Sequence, residues 1–159
     1  MLLYGELAMP LDVRAGQQPS IYEGDVLYFL LGDGSTWFKT QVLNLLRGEP
    51  LSGFVPHLAL FDGNPDGTGQ ELSGASYARP AVSFSSPIEV SGGPSQISNT
   101  GVIRFPSPTT VWGSWAWDGL MTAETGGEVV FISQNPIPEI LQRNYVPQVP
   151  AGEYKVEVN

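Results

Sequence analysis

The stretch with the most chemical potential is Asp62-Gly63-Asn64-Pro65-Asp66-Gly67. Oxygen-bearing side chains at alternate positions followed by a glycine match the first half of a calcium loop. Hard cations take oxygen ligands, and the glycine permits the sharp turn. The second half departs from that pattern, because the twelfth position is Ser73 rather than glutamate and Glu71 falls in the wrong register. The stretch reads first as an Asx/Gly-rich hairpin turn. Asp62, Asn64 and Asp66 are the candidate metal ligands if it holds a cation.

Trp112, Trp115 and Trp117 fall within one strand-like stretch, Val111 to Met121. Strand alternation places Trp115 and Trp117 on one face and Trp112 on the other. Paired aromatics on a solvent-facing sheet can stack on sugar rings. Aromatics also dominate protein cores and subunit interfaces. Core or interface packing is the expectation here, and glycan stacking is the alternative.

His57 is the only histidine. A Ser-His-Asp system needs a base oriented by a carboxylate and set beside a nucleophile. No Gly-x-Ser-x-Gly turn is present, and Asp62 belongs to the turn just described. A glycosidase needs only two suitably placed carboxylates, but none of the 16 acidic residues stands in a recognisable motif. No Gly-rich phosphate loop precedes a helix. Cysteine is absent, which removes disulfides, thiolate nucleophiles and Cys-ligated zinc. No catalytic residue and no cofactor are expected.

These residues must be positioned by a chain of 159 residues, the size of one domain or one domain plus an arm. Charged residues make up only 14%, against about 25% in an ordinary domain. With 42% hydrophobic residues the chain can build a core. Gly 19 and Pro 14 are spread along it and punctuate short strands. The helical exception is residues 36–47, where Trp37, Phe38, Val42, Leu45 and Leu46 recur at helical spacing. Ser35 or Thr36 is a candidate N-cap, and Gly48 is suited to the left-handed position after the last turn. A core-packing helix is expected. Short strands are expected at His57–Phe61, Tyr77–Phe84, Val102–Phe105, Val111–Met121, Val129–Ile132 and Glu153–Val158. The fold class is therefore mainly β, an antiparallel β-sandwich of jelly-roll type with one short helix and an extended N-terminal arm.

The arm is residues 1–34, and the β domain is 35–159. A shift of 128 residues places Pro10 on Pro138, Pro19 on Pro147 and Gly24 on Gly152, with matching apolar positions between them. The arm thus reads as a partial repeat of the closing strands. It would cover the chain's own sheets or add strands to a neighbouring subunit.

The net charge of −9 argues against nucleic acid or anionic membrane as partners, and the seven basic residues form no stripe. Met1 to Glu6 lacks a basic region, so no signal peptide is expected. The longest apolar run, Val26–Leu31, is far short of the roughly 20 residues that span a bilayer.

Several blocks resemble a family of small tailed-bacteriophage virion proteins usually labelled tail fibre proteins. The first is Leu58-Ala59-Leu60-Phe61, Pro65, Gly67-Thr68-Gly69, Glu71, Gly74, Tyr77-Ala78-Arg79 and Val82. The second is Ile97-Ser98-Asn99, Ile103, Phe105-Pro106, Trp112-Gly113, Gly119, Ala123 and Thr125-Gly126-Gly127. The resemblance covers roughly residues 36–135, and residues 1–34 look like the tail end of a further copy. It implies a non-enzymatic virion structural protein, assembled in the host cytoplasm, and it transfers no catalytic residue. The expected partners are further copies of the chain, with a trimer favoured, and other capsid or tail proteins. A capsid cement or decoration role suits the arm, and so does the proline-rich segment 134–150. A host-surface glycan is the alternative partner, recognised at a tail tip through the tryptophans.

Overall fold

A computed structural model describes residues 34–89 and 95–158. The expected arm and its repeat lie outside the described residues, apart from Gly34. The first element is helix α1, Thr36–Leu46. Eight strands follow: β1 (His57–Phe61), β2 (Ile88–Glu89), β3 (Ser95–Ser98), β4 (Ile103–Arg104), β5 (Gly113–Met121), β6 (Val129–Leu141), β7 (Gln148–Val149) and β8 (Lys155–Val158). Among the described residues every strand pairing is antiparallel, and this part of the chain is mainly β with one short helix, as its punctuation predicts.

The main sheet has the order β1-β5-β6, with β5 in the middle. Smaller sheets, β2-β3-β8 and β4-β7, complete the set. Leu58 pairs with Leu120 and Leu60 with Asp118, so these side chains share one face of the main sheet. That face supplies Leu58, Leu60 and Leu120 to the larger core. There they join Leu72, Val82, Ile103, Phe105, Trp112 and Leu141. Ala59, Phe61 and Met121 point to the opposite face and form a second, smaller cluster. β1 is therefore buried from Leu58 to Phe61 on both faces, which is why it reads as an unbroken apolar run.

α1 forms where the residues dictate. The Ser35 hydroxyl accepts from the Phe38 N–H at 3.1 Å and so caps the first turn. Gly48, at φ +83°, takes the left-handed position that ends the helix. The expectation that α1 packs into the core fails. Phe38 stacks against Phe131 with ring centroids 4.8 Å apart, yet no residue of the helix is buried. Periodicity marks which positions are apolar, and it does not say what covers them.

Two of the expected strands also turn out differently. Tyr77–Phe84 is not a strand. Its only sheet-type pairings among the described residues are single bridges, His57 to Ala81 and Phe84 to Asn99. β6 is far longer than Val129–Ile132 and runs through Pro136 and Pro138. Its pairing with β5 breaks between Gln134 and Glu139, so Asn135 to Pro138 bulge opposite Ala116. β6 is an edge strand of this sheet, and within the bulge the residues are out of the ladder, so a proline removes no needed ladder donor.

Candidate functional site

The Asp62–Gly67 stretch is a turn whose polar groups are spent on structure. The Asp62 carboxylate accepts from the Gln70 N–H at 2.6 Å, and the Asn64 side chain accepts from the Asp66 N–H at 2.9 Å. Asp66 accepts from the N–H and hydroxyl of Thr36 at 3.0 and 2.8 Å, which ties the turn to the start of α1. A carboxylate there also suits the positive end of the helix. The turn is tight enough that a Cβ at Gly69 would stand 2.1 Å from the Gly63 carbonyl oxygen. Among the described residues no group of three or more His, Asp or Glu side chains is placed to hold a metal ion.

The bulge on β6 overturns the assignment of tryptophan faces. It breaks the alternation of β5 between Trp115 and Trp117. Trp115 packs against the larger core, beside Trp112, and Trp117 packs against the smaller cluster on the opposite face. Trp112 is buried at 4% exposure and donates its indole N–H to the Ala75 carbonyl at 3.0 Å. Trp115 and Trp117 are half-buried. The Trp115 indole N–H donates to Asp118 at 2.6 Å. Burial pushes the Asp118 carboxyl up to about 6, against the opposing pull of that hydrogen bond. The three tryptophans do not form one aromatic platform.

His57 also has a local role. Its Nδ1 lies 2.8 Å from the Val55 carbonyl oxygen and donates to it in the tautomer protonated there. It pairs across the sheet with Met121, and among the described residues no serine is bonded to it.

The most connected polar group is Arg79, which residue types alone did not single out. Its Nε and one terminal nitrogen grip both oxygens of Glu71 at 2.7 and 2.6 Å. The other terminal nitrogen donates to the carbonyls of Ala123 and Gly126 at 2.8 and 2.7 Å. The Tyr77 hydroxyl donates to Glu71 at 2.9 Å and accepts from the Leu60 N–H at 3.1 Å. Burial above all holds the Tyr77 phenol well above its ordinary value, and the Glu71 hydrogen bonds raise Arg79. These groups line a pocket of about 360 Å³ that also includes Glu124 and Thr125. Both Glu71 oxygens and all three guanidinium nitrogens have partners within the chain. The arrangement locks the β5–β6 turn onto β1 and the 71–79 loop. The available signal was an acid, a phenol and an arginine at 71, 77 and 79, in a segment broken by Pro80.

A second buried lock is Asn99, at 2% exposure. Its side-chain nitrogen donates to the Gly101 and Pro150 carbonyls, and its side-chain oxygen accepts from the Tyr154 N–H. Glu71, Tyr77, Arg79, Asn99, Ala123 and Gly126 all lie in the blocks that resemble the tail fibre family. In this structure all of them contribute to holding loops together.

The search of curated proteins returned no match. A family model described as "Podophage GP4 fiber I protein gp80" matches residues 34–157, well over half of the chain. The match starts just before the helix and ends within the closing strand β8. The chain belongs to this family of phage fibre proteins.

Proposed function

We propose that this virion component is a non-enzymatic structural subunit that assembles as a homo-oligomer, a trimer by preference, and attaches to capsid or tail proteins. The observation that carries the reading is the Glu71–Arg79 clamp. In the pocket between the 71–79 loop and the β5–β6 turn, Glu71 and Arg79 are bonded to each other, and Arg79 is bonded to backbone carbonyls as well. A general acid or nucleophile needs a free position for the reacting atom, and these atoms hold a turn. Exposed apolar side chains elsewhere on the surface, among them Leu46 and Ile137, supply the cohesion. Residues 1–34 act as a latching arm in this reading, and assembly takes place in the host cytoplasm.

Electron microscopy of intact particles carrying a tagged copy tests the attachment, and light scattering on the purified protein tests the oligomer. Density at the capsid or tail together with a trimer mass is expected. A strict monomer at micromolar concentration that also fails to bind particles would remove the reading. Deleting residues 1–34 is expected to abolish assembly, and unchanged assembly would remove the arm from it.

The alternative, glycan recognition at a tail tip, rests on Trp117. Of the three tryptophans it alone is neither buried nor bonded to Asp118. Binding to an isolated host glycan that Trp117→Ala abolishes would favour it.

A further inference from the structure

The sheet β2-β3-β8 ends on β8, and among the described residues none bonds to the outer side of that strand. The edges of the main sheet are occupied by comparison. Leu58 and Asp62 of the β1 region donate to the Pro80 and Gln70 carbonyls. Ser35 donates to the Val130 carbonyl at the start of β6, and two prolines interrupt the far part of that strand. Two bonds fix which way the backbone of β8 points. The Asn99 N–H donates to the Tyr154 carbonyl at 3.1 Å, and the Ser85 N–H draws the Ser98 carbonyl to the opposite side of β3 at 2.8 Å. Ile97 and Val156 are therefore a hydrogen-bonded pair, whereas Lys155 and Glu157 aim their N–H and C=O groups away from the sheet. The side chains of Lys155 and Glu157 are exposed and share one face, and Val156 between them is buried.

We infer that β8 pairs with β8 of a second copy, antiparallel and centred on Val156, so that two three-stranded sheets join into one of six. The residues of the strand select both this partner and this register. With Val156 opposite its counterpart, Lys155 of each copy lies directly opposite Glu157 of the other. Each of these pairs exchanges two backbone hydrogen bonds, so all four outward groups of each strand are satisfied. Each also sets an ammonium against a carboxylate. A slip of two residues one way sets Lys155 against Lys155 and Glu153 against Glu157, and a slip the other way sets Glu157 against Glu157. A slip of one residue opposes outward groups to inward ones and makes no ladder. Lys155 has no ion pair among the described residues, and Glu157 accepts from Gln96 through one oxygen only. The contact is isologous, so it pairs copies. It goes beyond the trimer proposed above, because a two-fold pairing cannot close a ring of three, and it joins copies of neighbouring trimers. A ladder this short is weak alone and gains from copies held side by side on a particle.

The absence of cysteine makes the register directly testable. A hydrogen-bonded antiparallel pair holds its Cα atoms about 5.5 Å apart, within disulfide range. Lys155→Cys and Glu157→Cys both change exposed positions. An oxidised equimolar mixture of the two full-length variants, at high protein concentration, is expected to give covalent dimers on a non-reducing gel, several-fold more than either variant alone. As much dimer from one variant alone would assign another register and overturn the inference. A mixture without covalent dimers would overturn it too. The gel reads only positions 155 and 157, so dimers from a protein whose light scattering shows no trimer would remove the trimer and leave this pairing standing. In the wild-type chain the Lys155 and Glu157 amides are expected to exchange about tenfold more slowly at millimolar than at micromolar concentration. Lys155→Glu should lose that difference, and Lys155→Glu/Glu157→Lys should restore it. Protection of both amides that is independent of concentration would assign the edge to another segment of the same chain and overturn the inference.

Discussion

Arg79 donates to four acceptor atoms, two on Glu71 and two in the β5–β6 turn, and its side chain is 7% exposed against 27% for Glu71. Removing one partner of such a pair leaves the other charge uncompensated, which costs more than the intact pair contributes. Arg79→Met should lower unfolding free energy by about 3 kcal/mol in urea titrations, and Arg79→Met/Glu71→Met should recover part of that loss. A double variant as unstable as the sum of the two singles would show that the pair is not coupled. Asp118 gives the opposite kind of effect. Its carboxyl is raised to about 6 in the folded chain, so the folded state binds the proton more tightly than the unfolded state does. Its contribution is therefore most favourable below about pH 4, declines as pH rises towards 6, and is a constant cost above that. Asp118→Asn removes the charge while its amide oxygen can still accept from Trp115. It should stabilise the protein by about 2 kcal/mol at pH 7.5, with the difference vanishing near pH 4. Parallel stability curves across that range would place the Asp118 carboxylate in a solvated setting.

At the scale of elements, α1 was legible from its residues because its signals are local. Ser35 caps Phe38 three residues on, and Gly48 ends the helix. Ser35 also donates its hydroxyl to the Val129 carbonyl, so one side chain joins the helix start to β6. Ser35→Ala should cost about 1–2 kcal/mol and lower helix content in far-ultraviolet circular dichroism, whereas Ser35→Thr keeps a hydroxyl that can both cap and donate and should cost less. An unchanged Ala variant would move the helix start elsewhere. β1 was equally legible, since a short apolar run, Leu58 to Phe61, is closed by a turn of Asx and glycine residues. The tryptophan faces were not, because their exchange depends on Asn135 to Pro138 bulging out from the neighbouring strand. No alternation within β5 can report a bulge in β6. The 77–84 segment misled for a similar reason. Its composition favours a strand, but Arg79 is drawn to Glu71 and to the β5–β6 turn, and Pro80 has no N–H to give to a ladder. The strands β2, β3 and β7, with two to four residues each, were missed. Ser95–Ser98 and Gln148–Val149 carry too few apolar residues to show a period, and their pairing comes from partners about 60 and 45 residues away along the chain.

For the molecule as a whole, such distant pairings need a joint that holds the closing segment in register, and Asn99 supplies it. Its backbone N–H donates to the Tyr154 carbonyl at 3.1 Å, and its carbonyl accepts from the Gly152 N–H at 2.8 Å. Its side chain joins Gly101, Pro150 and Tyr154 at 2.7–2.9 Å. β8 then pairs with β3 from Lys155 onward, and Val149 pairs with Ile103 at the edge of the larger core. One buried amide thus sets the register in which two of the three sheets close. Asn99→Leu, close in volume, fills the space but strands two carbonyls and one N–H. Each unsatisfied buried group costs about 1–3 kcal/mol. The expected result is a loss of about 3–5 kcal/mol in unfolding free energy, together with faster amide exchange along β8. Asn99→Asp should fare little better, because a carboxylate accepts from Tyr154 but cannot donate to Gly101 or Pro150. If β8 and β3 amides stay protected in Asn99→Leu, the closing strand is held by its own ladder. The register of the small sheets would then come from the Val156 and Ile97 side of the sheet instead of from this joint.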